Sequence, residues 1–168
     1  MVIETVLGDI TALDVDVVVN AANRELARGS GVCGAIFAAA GPRLDAACAA
    51  LGSCDTGDAV ITPGFGLGAR WIVHTVGPIW HGGASGEGDL LASCYRRSLE
   101  VAGTVGAESI AFPAISTGVY GYPADAAAEI AVDTIRACGE AGDPTPARVV
   151  LVAFDPATAA RYEALLGS

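Results

Sequence analysis

No lysine occurs anywhere in this chain of 168 residues; its positive charge is nine arginines, scattered without a basic run, against 19 acidic side chains and a net charge of −10. Binding to nucleic acid or to an anionic membrane surface needs clustered cationic side chains, so this balance argues against both as partners. Histidine is almost as scarce. His74 and His81 are the only two, and neither stands in an HExxH arrangement. The five cysteines, Cys33, Cys48, Cys54, Cys94 and Cys138, form no CxxC pair. No metal site is expected, and reduced, mostly buried thiols fit a cytoplasmic protein. No run approaches the roughly 18 uninterrupted apolar residues of a membrane span. Met1 leads straight into strand-like Val2–Leu7 without the basic stretch of a secretory leader. The expectation is one cytoplasmic domain over residues 1–168, with no cofactor.

What the chain does contain is alternation. The 52% hydrophobic content comes largely from alanine and valine, enough to build a full core at this length. Short β-branched runs at Val2–Leu7, Val17–Asn20, Ala59–Thr62, Trp71–His74, Ser109–Phe112 and Val149–Ala153 read as strands covered on both faces. Helical periodicity lies between them. Leu91, Cys94, Tyr95, Leu99 and Ala102 recur on one face, and Ala127, Ile130, Thr134 and Cys138 on another. Asp155-Pro156 predicts an N-cap with proline in the first turn of a last helix. Gly82 to Gly88 reads as the loosest stretch. The pattern predicts a three-layer α/β/α sandwich around a parallel or mixed sheet of about six strands, a class in which ligands lie beyond the carboxyl ends of the strands.

Two glycine-bearing segments fall at such ends. In Phe112-Pro-Ala-Ile-Ser-Thr-Gly-Val-Tyr-Gly-Tyr-Pro123 a strand stops at Pro113, a loop carries Gly118 and Gly121, and Pro123 is expected in the first turn of a helix. Main-chain N–H groups can converge in such a turn, and the helix dipole adds positive potential, which suits a phosphate. In the second segment Asn20-Ala-Ala-Asn23 ends a strand, and Gly29-Ser-Gly-Val-Cys-Gly34 leads into a helix expected at Ala35–Ala40. Taken alone, each is equally an ordinary strand–loop–helix link with glycine as punctuation. Asp9 after the first strand reads locally as a turn residue or N-cap. Phe154 reads as core or as a stacking face, and His74 as a buried histidine with satisfied ring nitrogens.

Gly8-Asp-Ile-Thr11, Val18-Val-Asn-Ala-Ala-Asn23, Gly31-Val-Cys-Gly34 with Ala39-Ala-Gly-Pro42, Thr56-Gly-Asp-Ala59, His74-Thr-Val-Gly-Pro78 and the Phe112–Pro123 run occur together and in order. In this the chain resembles the macrodomain family, specifically its MacroD-type branch. The resemblance covers nearly the whole chain and implies ADP-ribose binding at the top of a six-stranded mixed sheet. By position it implies that Asp9 contacts the adenine amine, with the Ile10 main chain reading the ring and Phe154 stacking on it. Ser116, Thr117, Gly118, Val119 and Tyr120 would cradle the diphosphate, Tyr120 also lining the distal-ribose end. Gly29, Gly31, Val32 and Gly34 would close over that ribose, with Asn20 among the binding positions and Asn23 near its reactive carbon.

The implied activity is hydrolysis of mono-ADP-ribose from acidic side chains of modified proteins, with O-acetyl-ADP-ribose as a second ester substrate. The partners expected are therefore ADP-ribose and mono-ADP-ribosylated proteins. One position departs from the pattern. MacroD-type hydrolases usually carry Gly-Val-Asp-Gly where this chain has Gly31-Val-Cys-Gly34. A thiol is a weak hydrogen-bond acceptor, so Cys33 does not simply take over an aspartate that orients water. The alternative is a reader module that binds ADP-ribose with little turnover.

Overall fold

The computed structural model describes residues 1–167. The strands are β1 (Val2–Leu7), β2 (Val17–Ala22), β3 (Ala59–Pro63), β4 (Trp71–Val76), β5 (Ser109–Phe112) and β6 (Arg148–Ala153). The helices are α1 (Gly31–Ala40), α2 (Pro42–Leu51), α3 (Glu87–Thr104), α4 (Ala124–Glu140) and α5 (Pro156–Leu166), with a 3₁₀ turn at Ile10–Ala12. The sheet runs β1-β6-β5-β2-β4-β3. Five strands are parallel, and β3 pairs antiparallel with β4 at the edge, Ala59 facing Thr75. The expected sandwich is the observed one, with a mixed sheet.

Side-chain alternation divides the core. Val17, Val19, Ile110, Phe112, Val149 and Leu151 project to the layer that includes α3 and α4, while Val18, Ile72, Ala111, Val150 and Val152 project to the layer holding α1 and α2. Because both faces are covered, these strands read as continuous apolar runs. Helix α1 follows β2 onto one face, and α4 follows the neighbouring β5 onto the other. The crevice opened by that divergence is where an open α/β sheet places its ligand.

Four local expectations are corrected. Helix α1 begins at Gly31, four residues early, because Ser30 takes the extended N-cap conformation. Pro123 is itself an N-cap, with ψ 127°, and α4 starts at Ala124. Helix α2 was not expected: its alanine-rich sequence has little amphipathic contrast, and Gly41 at φ +90° turns the chain sharply before Pro42 opens it. The stretch beginning at Gly82 is tied down, since Glu87 accepts main-chain N–H bonds from His81, Gly83 and Ser85. Asp155 is an N-cap as anticipated, accepting from Thr158 N–H with Pro156 in the first turn. Among the described residues no single helix is long and apolar enough to cross a membrane.

Candidate functional site

At the carboxyl ends of β2, β5 and β6 lies a cleft of about 660 Å³, within the range of nucleotide-sized ligand sites. Asn23 and the segment Gly29–Cys33 form one wall, and Ser116–Tyr120 the other. Ile10, Ala22, Gly77, Ile115 and Val152 contribute to the surface between them, and Phe154, Asp155 and Thr158 extend it beyond β6. No arginine lines it.

Each wall offers main-chain donors. The first-turn N–H groups of α1 have no intrahelical acceptor, and the Ser30 hydroxyl does not cap them. Across the cleft, Thr117 N–H donates to Ala114 O, Gly121 N–H to Gly118 O and Tyr122 N–H to Ser116 O. Among the described residues the intervening N–H groups of Gly118, Val119 and Tyr120 find no protein acceptor. Two sets of unpartnered donors thus flank one space, an arrangement that holds an anion through dipoles without a cationic side chain.

Close packing positions both walls. A Cβ on Gly34 would stand 2.6 Å from the Gly29 carbonyl oxygen, so glycine there lets the start of α1 fold back on the preceding loop. Ser116 adopts φ +66°, a conformation uncommon outside glycine. Its Oγ is buried without a partner.

The structure gathers most of the residues anticipated from the sequence: Ile10, Asn23, Gly29, Gly31, Val32, Cys33, Ser116, Thr117, Gly118, Val119, Tyr120 and Phe154 all line the cleft. Phe154 is 70% exposed, so a ring face is open to a ligand, and Val119 is 92% exposed. Asp9, Asn20 and Gly34 are not in the lining. Asp9 caps the 3₁₀ turn, accepting from the Thr11 hydroxyl and N–H, and these bonds hold its carboxyl below the ordinary value. Gly34 sits one turn into α1, against the Gly29 carbonyl.

Asn20 lies a layer deeper, fully buried in β2. Its Nδ2 approaches His74 Nδ1 at 3.1 Å and Cys33 Sγ at 3.7 Å. With Nδ1 accepting from Asn20, His74 carries its proton on Nε2, which faces Thr62 Oγ1 at 3.0 Å. Burial pushes His74 down to about 4, so the ring is neutral near pH 7. Cys33 therefore joins the cleft to a buried polar chain. Asn23 is committed locally, donating to Ala27 O and accepting from Ala27 N–H, both at 2.9 Å.

Sequence reasoning missed Gly77, Asp155 and Thr158 as cleft residues. The last two had a readable signal, because a cap at the carboxyl end of a strand lies on the ligand-bearing edge. Gly77 stood in the His74–Pro78 run that carries the family resemblance, but its place in the cleft did not show, because its need for glycine comes from Ser116 and Ile115, distant in sequence. Among the described residues no three His, Cys, Asp or Glu side chains converge as a metal ion would require.

A doubly covered mixed sheet with an anion-accepting cleft at its carboxyl edge defines an α/β/α domain built for a nucleotide-like ligand. The Macro domain model matches residues 19–131, and the chain belongs to that family. It is 54% identical to the O-acetyl-ADP-ribose deacetylase of Klebsiella pneumoniae, over 98% of this chain and 96% of that protein. The solved macrodomain of Oceanobacillus iheyensis with ADP superposes at TM-score 0.91 and 44% identity, covering 97% of this chain and 88% of that one. The Trypanosoma brucei macrodomain in complex with ADP-ribose superposes at TM-score 0.90 and 38% identity, covering 97% and 69%.

Proposed function

We propose that this macrodomain binds ADP-ribose in the cleft and hydrolyses esters of its distal ribose, with O-acetyl-ADP-ribose and mono-ADP-ribosylated acidic side chains as the substrate classes. The observation that carries the reading is the pair of unpartnered N–H sets on a cleft with no cationic lining. The relatives named for O-acetyl-ADP-ribose deacetylation and for bound ADP-ribose support it.

In this reading the diphosphate sits on the N–H groups of Gly118–Tyr120, the adenine stacks on Phe154, and the distal ribose lies toward Asn23 and Cys33. Water adds its hydroxyl to the ester carbon as the carbon–oxygen bond to the leaving oxygen breaks. The one remaining proton of that water passes to the leaving oxygen, and the carboxylic acid so formed releases its own proton to solvent, giving ADP-ribose and a free carboxylate. The Asn23 carboxamide orients the ribose by exchanging a bond to Ala27 for one to a hydroxyl. Positioning and a diphosphate oxygen carry the activation of water, because the Cys33 thiol is a weak acceptor.

Calorimetry with ADP-ribose, followed by turnover of O-acetyl-ADP-ribose and of a mono-ADP-ribosylated protein carboxylate, tests this. Asn23→Ala should reduce turnover on the order of 10²-fold, and Cys33→Asp should raise it, since a carboxylate restores a general base. Tight binding without turnover of either ester by the wild type would establish the reader alternative, for which Cys33 is the structural motive. Release of inorganic phosphate from the distal-ribose phosphate of ADP-ribose, without ester cleavage, would mark a phosphatase instead. Full activity of Asn23→Ala would remove Asn23 from the ribose site.

A further inference from the structure

The first turn of α3 carries a charged group that neither wall of the cleft uses. Glu87 opens α3 and is 1% exposed, yet among the described residues it forms no ion pair. Its Oε2 accepts from the N–H of His81 at 2.9 Å and of Gly83 at 2.8 Å, and its Oε1 from Ser85 N–H at 2.7 Å. These bonds, that from His81 foremost, hold its carboxyl down to about 2. The coil 81–85 is therefore wrapped around a permanent anion at a helix N-terminus, where the dipole also favours negative charge.

That coil lies against Trp80. Gly83 has φ +92°, and a Cβ there would come within 2.8 Å of the Trp80 Cη2. Trp80 in turn reaches the cleft loop twice. Its N–H donates to Tyr120 O at 2.8 Å, and its indole packs on Tyr122 with ring centroids 4.7 Å apart. Tyr122 then ties back through its N–H to Ser116 O at 2.9 Å. A continuous set of contacts thus joins the Glu87 carboxylate to the loop bearing the unpartnered N–H groups.

We propose that Glu87 is a positioning residue for the anion-binding loop: its charge organises the coil that seats Trp80, and the Trp80 main-chain N–H sets the position of Tyr120. The proposal rests on the ADP-ribose reading and identifies what holds that site in shape. Oriented N–H groups bind an anion well only if they are already in place. The loop's other bonds, Thr117 to Ala114, Gly121 to Gly118 and Tyr122 to Ser116, are internal turns. They shape the loop without fixing it to the sheet. A neutral side chain at 87 leaves three main-chain donors short of an anion, and the coil loses its organising centre.

Glu87→Gln, nearly isosteric, and Glu87→Ala, which opens room for a small carboxylate, form the test. Each is titrated by calorimetry with ADP-ribose and with adenosine, with and without added acetate, and amide spectra are recorded without ligand. Both variants should lose ADP-ribose affinity on the order of tenfold while adenosine binds unchanged. The amide resonances of Gly118, Val119 and Tyr120 should shift in the ligand-free state. Acetate should restore both readouts in Glu87→Ala and leave the wild type unaffected. Unchanged affinity and resonances in folded variants would overturn the proposal. So would an equal loss for adenosine, or failure of both variants to fold, since either makes Glu87 a structural pin for the whole domain. If the wild type itself bound no ADP-ribose, the functional reading would fall, while the ligand-free spectra would still decide the coupling.

Discussion

Beneath the cleft, Gly77 and Ser116 meet with no slack. A Cβ at position 77 would stand 2.2 Å from Ser116 Oγ and 2.7 Å from Ile115 Cγ2. Ser116 already sits at φ +66°, so it has little freedom to yield. Gly77→Ala should therefore cost about 1–3 kcal/mol of stability as an overpacked site and weaken ADP-ribose binding, both read by denaturation and calorimetry. Gly118→Ala is the control: an added Cβ meets nothing within 4 Å, and stability should change by less than about 0.5 kcal/mol. His74 makes a separate prediction. Its folded value is pushed from 6.5 to about 4 by burial, so below pH 6.5 the unfolded chain binds the proton first. The associated stability is fully present above that pH and is lost as pH falls toward about 4, a contribution on the order of 3 kcal/mol. Denaturant titrations across this window should show that fall, and a folded His74→Gln variant should show a shallower one. Asn23 and Cys33 were singled out through the resemblance to the macrodomain family, whereas Asp9 as a turn residue or cap was readable locally, and it caps the 3₁₀ turn on Thr11. What Asn23 and Cys33 touch was not readable, because Ala27 and Asn20 become their partners only through the turn and the strand face that present them.

The two walls belong to different elements, and each carries main-chain donors without a protein acceptor among the described residues. The N–H groups at the start of α1 and those of Gly118–Tyr120 should therefore exchange quickly in the unliganded protein. ADP-ribose should protect Val32, Cys33, Gly118, Val119 and Tyr120 against hydrogen exchange together. At about a hundredfold excess over Kd it should add roughly 2.7 kcal/mol to stability. Protection confined to one wall would mean that the cleft does not hold one ligand across both. The central strands were legible because doubly buried β-structure leaves β-branched runs of four to six residues; β1, at the edge, is not covered on both faces as expected, with Val2 and Leu7 exposed. Helix α2 was not legible, since its amphipathic contrast is small and no apolar stripe marks a buried face. The stretch from Gly82 to Gly88 read as loose because glycine dominates it, whereas three main-chain bonds converge on its own Glu87.

For the molecule as a whole, the charge of −10 opposes the approach of an anionic ligand, and no arginine lines the cleft. Binding through dipoles releases few counterions, so ADP-ribose affinity should change by no more than about threefold between about 50 mM and about 200 mM salt. Screening of the global field should, if anything, tighten it slightly. A steep loss of affinity measured by calorimetry over that range would place an arginine on the phosphates.

Composition and pattern were enough for the sandwich, the carboxyl edge as the ligand-bearing edge, and the two small-residue turns. These follow from local rules: strand and helix periodicity, caps, and the conformational freedom of glycine. Which residues share the cleft, and which support it from outside, came from contacts between segments far apart in the chain. Asn20 lies under the site because β2 places it beside His74 of β4, and Glu87 reaches the cleft loop because Trp80 meets Tyr120 across the gap between two connections. Local sequence carries no record of such meetings. They are made when the sheet brings its strand ends together and packing leaves each loop one way to lie.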